Sequence, residues 1–299
     1  MKNMNGILII DKPKDWTSHD VIAKLRGALK QKRIGHGGTL DPMATGVLPV
    51  FVGRATRAAE FCENAEKEYI AGLKLGIVTD TQDITGNILQ ENKVNVTAEE
   101  LTTVLRQFKG KQKQIPPMYS AIKKDGKKLY NLARKGIEVE REPREIYVRG
   151  TVLLTTCHKN RPSDIFELRI ICSKGTYIRT LCHDIGAALG CGGTLASLRR
   201  TRAGVFDIGS SFPLDDVIAM CLSDSVNSII KPVDSIFSVY PSLSLSLSEV
   251  GKAKNGAACN APENTANGKY RVYAPDGEFL LLGEVNNNAV KSIKSFFEV

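Results

Sequence analysis

The chain has 299 residues, 42% hydrophobic and 24% charged, which is enough for a full core and excludes a mostly disordered or collagen-like polypeptide. Lys and Arg number 41 against 32 Asp and Glu, a net charge of +9. That excess steers a protein toward polyanions, yet charge alone leaves RNA, DNA, an anionic membrane surface and a plain basic protein open.

No apolar run approaches the ~20 residues that a bilayer-spanning helix needs. Gly6-Ile7-Leu8-Ile9-Ile10 is too short for the core of a signal peptide and reads as a buried strand. Thr17-Ser18 can cap a helix, because Val21, Ile22, Leu25 and Leu29 then recur at helical spacing. The segment Gly35-His36-Gly37-Gly38-Thr39-Leu40-Asp41-Pro42 must turn, and Leu48 to Val52 returns as a strand. Tyr69 to Val78 reads as one strand, followed by the polar loop Thr79 to Gly86. Thr97-x-x-Glu100 is a capping box that opens a helix ending near Gly110.

From Lys109 to Arg149 lysines and arginines crowd the chain, with Pro116-Pro117, Tyr119 and Tyr130 among them. This region reads as a basic arm extending from the main body, with a short helix over Leu129, Leu132 and Ala133 stopped by Gly136. Phe166, Leu168, Ile170 and Cys172 alternate as a strand. Ile178, Leu181, Cys182, Ile185 and Leu189 then mark one face of a helix closed by Gly190. The Ser-Leu alternation between Val239 and Val250 has the period of a strand. Tyr270 to Tyr273 and Phe279 to Val285 complete a small β-rich end. Strand and helix periods alternate along the body, which implies a mixed architecture. The seven cysteines, Cys62, Cys157, Cys172, Cys182, Cys191, Cys221 and Cys259, are odd in number and form no C-x-x-C pair. Neither a disulfide framework nor a zinc knuckle is indicated, and a reducing cytoplasm fits.

The glycine loop is not a phosphate-binding P-loop, since no Gly-Lys-Ser/Thr follows it. It is not a dinucleotide fingerprint, because Pro42 breaks the helix which that motif requires. Taken alone, Asp41 would be a turn residue. The whole run Gly35 to Val50, however, resembles the catalytic loop of the TruB family of tRNA pseudouridine synthases. Four more segments agree in order: Asp11-Lys12-Pro13 with Thr17-Ser18; Lys67-Glu68-Tyr69, then Leu75-Gly76 and Thr79-Asp80-Thr81-Gln82-Asp83-x-x-Gly86; Gln114-Ile115-Pro116-Pro117-Met118-Tyr119-Ser120-Ala121-Ile122-Lys123; and Cys172-Ser173-Lys174-Gly175-Thr176-Tyr177-Ile178-Arg179-Thr180 with Leu198-Arg199-Arg200 beyond.

The resemblance implies an α+β pseudouridine-synthase fold, a mixed, largely antiparallel sheet flanked by helices. It implies a catalytic domain over 1–237 with an RNA-gripping insertion at about 109–149. A small C-terminal β-rich, PUA-like domain over 238–299 is the weakest part of the match. It implies isomerisation of uridine 55 in the T-loop of tRNA, in the cytoplasm, with no cofactor, no metal, no membrane and no obligate protein partner. Asp41 is then the essential carboxylate; attack on the base, attack on the sugar and removal of a sugar proton all stay open. Arg179 is its ion-pair partner, because burial favours protonation of a carboxylate and a neighbouring guanidinium counters it. Tyr69 stacks on a flipped uracil. His36, Tyr177, Leu198, Asp83, Lys12 and Pro13 bind the substrate. Each has a plainer reading as a core, turn or surface residue, and His183-Asp184 lacks the spacing of a metal site. Asp15 stands where the family has Gly, in a turn that Asp can tolerate. The rivals are a non-catalytic tRNA-binding chaperone on the same scaffold, a relative serving guide-RNA particles, and a nucleotide-binding enzyme.

Overall fold

The computed structural model describes residues 4–154 and 165–297. Cys157 lies outside the described residues. The first elements are the strand Gly6–Lys12 (β1), the helix Ser18–Ala28 (α1), the strands Ile34–His36 (β2) and Thr45–Val52 (β3), the helix Ala59–Asn64 (α2) and the strand Lys67–Leu75 (β4). A hairpin of Ile77–Thr79 (β5) and Ile88–Glu91 (β6) leads to the helix Ala98–Gln107 (α3) and the strand Gly110–Gln114 (β7). The arm carries Lys123–Lys124 (β8), Lys127–Lys128 (β9) and the helix Leu129–Ala133 (α4). Then come Arg144–Leu153 (β10), Ile165–Cys172 (β11), the helix Ile178–Ala188 (α5), Gly193–Ala203 (β12), Phe206–Asp207 (β13), Phe212–Pro213 (β14) and the helix Leu214–Leu222 (α6). The chain ends with Ser242–Ser244 (β15), the helix Leu247–Lys254 (α7), Cys259–Asn260 (β16), Gly268–Tyr273 (β17), Phe279–Asn286 (β18) and Ala289–Ser295 (β19).

The main sheet runs β14-β1-β3-β12-β4-β11-β10-β7, with β2 on β3 and β13 on β12. Only β1–β14 and β3–β12 are parallel among the neighbours along that path, so the sheet is mixed and largely antiparallel. Three apolar clusters cover it. Leu101 and Leu105 of α3 and Leu181 and Ile185 of α5 pack on β4, β11 and β10. Val21 and Leu25 of α1 and Val217 of α6 pack on one face of β1 and β3. On the opposite face Ile7, Val47 and Phe51 meet Cys62, Phe237, and Leu282 and Phe296 of the terminal sheet. That terminal sheet runs β15-β17-β18-β19-β16.

The expected cap at Thr17 forms, as a capping box with Asp20, and so does the predicted capping box of Thr97 with Glu100. Four boundaries differ from the sequence reading. The run Tyr69 to Val78 is two strands, because Gly76 takes φ +84° and turns the chain between them. His36 belongs to a short strand rather than to the turn. The protruding arm is shorter than 109–149: β7 and β10 are sheet strands, and the arm leaves at Gln114 and returns at Arg144, its register partner. The Ser-Leu repeat splits, since Ser246 opens α7 after β15.

Candidate active site

The loop from Gly37 to Ala44 joins β2 to β3 at the middle of the sheet. Every carbonyl from Gly38 to Pro42 accepts a hydrogen bond. Arg200 Nη2 donates to Gly38 O at 3.0 Å and Nη1 to Thr39 O at 3.4 Å. Ser18 Oγ donates to Leu40 O at 3.1 Å and accepts from Leu40 N at 2.9 Å. Ala44 N closes on Asp41 O at 3.0 Å. Pro42 O accepts from Asp15 N at 2.8 Å and from Lys12 Nζ at 3.3 Å. Asp15 has φ +66°, the left-handed turn expected of a residue in the family's glycine position. The apolar side chains of the loop, Leu40, Met43 and Ala44, sink into the same core as Tyr69 and Leu198. Gly37 could carry no side chain, since a Cβ there would sit 2.7 Å from Cys62 Cβ and 2.8 Å from the Phe51 ring.

Asp41 is thereby held at a fixed point with its side chain 40% exposed. Arg179 meets it from below, with Nε 2.9 Å from Asp41 Oδ2 and a side chain only 6% exposed. The rest of the guanidinium is fully engaged. Nη1 donates to Thr81 O at 3.1 Å and lies 3.8 Å from Asp83 Oδ2, while Nη2 donates to Tyr119 O at 2.9 Å. Asp83 is buried and is itself held by Thr81 Oγ1 at 2.9 Å and Thr85 N at 3.0 Å. Arg179 sits in the first turn of α5 because Tyr177 ends the preceding loop as its N-cap residue. Gln114, at the root of the arm, fixes that residue twice: Tyr177 N donates to Gln114 Oε1 at 2.8 Å, and Gln114 Nε2 donates to Tyr177 O at 3.0 Å.

The other expected residues fall around this pair in different ways. Tyr69 and Leu198 are almost fully buried side chains on β4 and β12. Burial raises the pKa of the Tyr69 hydroxyl, with the Arg200 guanidinium as its hydrogen-bonding neighbour opposing the rise. Burial likewise raises that of Tyr177. His36 packs edge-on against His19 at 5.5 Å, and its Nδ1 accepts from Gly38 N at 3.4 Å. Burial, helped by His19 and Arg200, lowers the His36 pKa to about 4, so the ring is neutral at physiological pH. Lys12 is fully buried and its ammonium is taken up by Pro13 O at 2.7 Å, Trp16 O at 2.6 Å and Pro42 O. Burial lowers its pKa to about 8, against the attraction of Asp41. The Lys12 ammonium thus binds the backbone of the loop at Pro42, with the Pro13 carbonyl as a second partner. Among the described residues no group of three or more His, Cys, Asp or Glu side chains is placed to hold a metal.

Sequence reasoning gave no role to Arg200 or Gln114 and took Ser18 only as part of a helix cap. The signal for Arg200 was its parity: it shares a strand face with Leu198, so a charge had to point inward. Gln114 and Ser18 carried no comparable mark, since polar residues at a strand end and a helix start are ordinary.

The family model described as "TruB family pseudouridylate synthase (N terminal domain)" matches residues 26–178. The chain belongs to the TruB family. The model "tRNA pseudouridylate synthase B C-terminal domain" matches residues 179–238. Its border falls inside the unbroken α5, and β15–β19 lie beyond it. The tRNA pseudouridine synthase B of Syntrophomonas wolfei subsp. wolfei is 44% identical over 285 residues, 95% of this chain and 94% of that protein. That of Clostridium tetani is 42% identical over 296 residues, covering 97% and 99%. Among solved structures, a Cbf5-Nop10-Gar1 complex contains a chain 26% identical with a TM-score of 0.74, covering 98% of this chain and 85% of that one. An H/ACA RNP bound to a substrate RNA containing 2′-deoxyuridine gives 25% identity, a TM-score of 0.73 and the same coverage. The fold of those two solved chains is therefore shared over 98% of this chain. Among the described residues no helix is long and apolar enough to cross a membrane.

Proposed function

We propose that this TruB-family chain converts the uridine at position 55 in the T-loop of tRNA to pseudouridine, without a cofactor or metal. It acts in the cytoplasm and needs no protein partner. The reaction detaches a uracil, turns it and rejoins it to the ribose through carbon instead of nitrogen. Nothing is oxidised and no group enters, so the demand on the protein is one carboxylate placed against the nucleoside. The observation that carries the reading is the Asp41–Arg179 pair. Its carboxylate is fixed by a loop with every carbonyl satisfied, is bonded on one edge to a buried guanidinium, and is open on the other.

A uridine stacked inside RNA is out of reach of such a carboxylate, so the nucleotide flips out, and Tyr69 and Leu198 form the apolar floor against which its base lies. Tyr177 lines the same pocket at the start of α5. Neutral His36 packs among the displaced nucleotides at the rim. Asp83 holds the far side of Arg179, and Lys12 with Pro13 holds the Asp41-Pro42 turn. Residues 1–237 form the catalytic domain, and 238–299 form a small PUA-like domain that docks on it through Phe237, Phe279 and Phe296. The basic arm grips the T-arm by shape and phosphate contacts.

The test incubates an unmodified tRNA transcript with the wild-type chain and with Asp41→Asn and maps pseudouridine along the RNA. Product at position 55 from the wild type only is the expected result. No product from the wild type would defeat the enzymatic reading, and equal product from both would defeat the assignment of Asp41.

A further inference from the structure

Arg200 is among the largest fully buried side chains of the molecule, at 1% exposure. A buried guanidinium ordinarily has a carboxylate beside it, because moving an ion out of water is costly. Among the described residues Arg200 has none. It donates instead to three backbone carbonyls: Nε to Val47 O at 2.7 Å, Nη1 to Thr39 O and Nη2 to Gly38 O. Lys12 and Lys67, also buried, are likewise held only by carbonyls. Arg200 is thus a buried cation committed to the two ends of the Asp41 loop, a costly arrangement for structural purposes alone.

The topology shows what Arg200 joins. On β12 it is the register partner of Gly46 in β3 on one side and of Tyr69 in β4 on the other. Gly46 takes φ +102°, and a Cβ there would lie 2.2 Å from Arg200 O, so the end of the Asp41 loop is pressed directly onto this residue. The side chain then reaches back to bind the start of the loop at Gly38 and Thr39 and its exit at Val47, while its charge lies against the Tyr69 hydroxyl. One planar fork therefore ties both ends of the loop that bears the carboxylate to the strand that bears the stacking ring. A lysine has the charge but not the fork.

We propose that Arg200 is a positioning residue of the isomerisation, fixing the spacing between Asp41 and the Tyr69 ring. The claim rests on the functional reading above. Arg200 acts on the transition state through these two groups and contributes nothing to RNA affinity.

The experiment measures single-turnover pseudouridine formation, tRNA binding and thermal unfolding for wild type, Arg200→Lys, Arg200→Gln and the control Arg202→Gln. Arg202 pairs with Glu66 near the surface and lies outside the site. In the variant that folds, the rate at saturating enzyme drops on the order of 100-fold with tRNA affinity unchanged, as for a reacting group displaced by about 1 Å. Arg202→Gln keeps wild-type turnover. The proposal is overturned if either folded variant turns over at the wild-type rate, if the rate falls only in proportion to the unfolded fraction, or if neither variant folds. Absence of product from the wild type would instead defeat the functional reading and is separately visible.

Discussion

Two irregular stretches meet at Arg179, the Asp41 loop and the arm between Gln114 and Arg144, and they are held in opposite ways. The loop has no free carbonyl from Gly38 to Pro42 and sinks three apolar side chains into the core. Of residues 123–135 in the arm, six are Lys or Arg and one is Asp. The strand pairs there are two residues long and exposed, and α4 buries only Leu129. Placing a reacting group needs rigidity, because small displacements cost large factors in rate. Gripping a polyanion needs charge and reach, and tolerates looseness. Arg179 and Arg200, both buried, brace the loop, whereas every lysine and arginine of residues 123–135 is exposed.

The comparison predicts that damage to the two regions separates cleanly in kinetics. The largest effect is at Arg179. Its Nε, Nη1 and Nη2 each have a different partner, and a point charge cannot serve Asp41, Thr81 and Tyr119 together. Arg179→Lys lowers the single-turnover rate on the order of 100-fold and leaves tRNA affinity intact. Near-wild-type turnover would remove the pair from the mechanism. The mirror experiment neutralises the arm. With Lys127, Lys128 and Arg134 all changed to Gln, affinity falls and the slope of log affinity against log salt decreases by roughly one for each phosphate no longer neutralised. The rate at saturating enzyme stays at the wild-type value. Unchanged salt dependence would reduce the arm to a solvated hairpin.

One residue should break the separation. Gln114 is the last residue of β7 before the arm, yet its amide holds both backbone polar groups of Tyr177, two residues before Arg179. Tyr119, also in the arm, supplies a carbonyl to the same guanidinium. Gln114→Leu leaves Tyr177 N and O without these partners and lets the start of α5 shift. A loss of about tenfold in rate follows, with affinity retained. If affinity drops and the rate does not, Gln114 belongs to the arm alone.

Much of this was legible in the sequence, and the failures have physical causes. Asp41 and Arg179 were found because long ordered motifs surround them, not because an aspartate in a turn or an arginine in a helix is telling. The span of the arm was overstated because Lys111 and Lys113 look like arm residues. They are the exposed face of an edge strand, where lysine discourages pairing with another chain. The period-two run of serine and leucine continued past the strand it described. Leu243 and Leu245 are buried as strand residues, but Leu247 is 81% exposed, because Ser246 starts a helix and resets the period. The support at Arg200 was quoted as motif and left without a role, since nothing in one dimension says that three carbonyls converge on it.

The one effect outside kinetics concerns pH and falls on the loop side only. The His36 ring has its ordinary pKa of 6.5 lowered to about 4 by burial. On acidification the unfolded chain therefore takes up this proton first, and the folded chain resists it. Between about pH 6.5 and 4 the unfolded state binds more protons, so stability declines as pH falls through that window, by roughly 2–3 kcal/mol in total. Above pH 6.5 both states are neutral and the contribution vanishes. His36→Gln removes the titrating group, so its urea midpoint should fall less between pH 7 and 4.5 than that of the wild type. Parallel declines would show that the ring is protonated as easily in the fold as outside it. It would then face water rather than the packed rim beside His19, and the loop would be less tightly closed at its entry than at Asp41. The arm offers no histidine window, because none lies between Gln114 and Arg144.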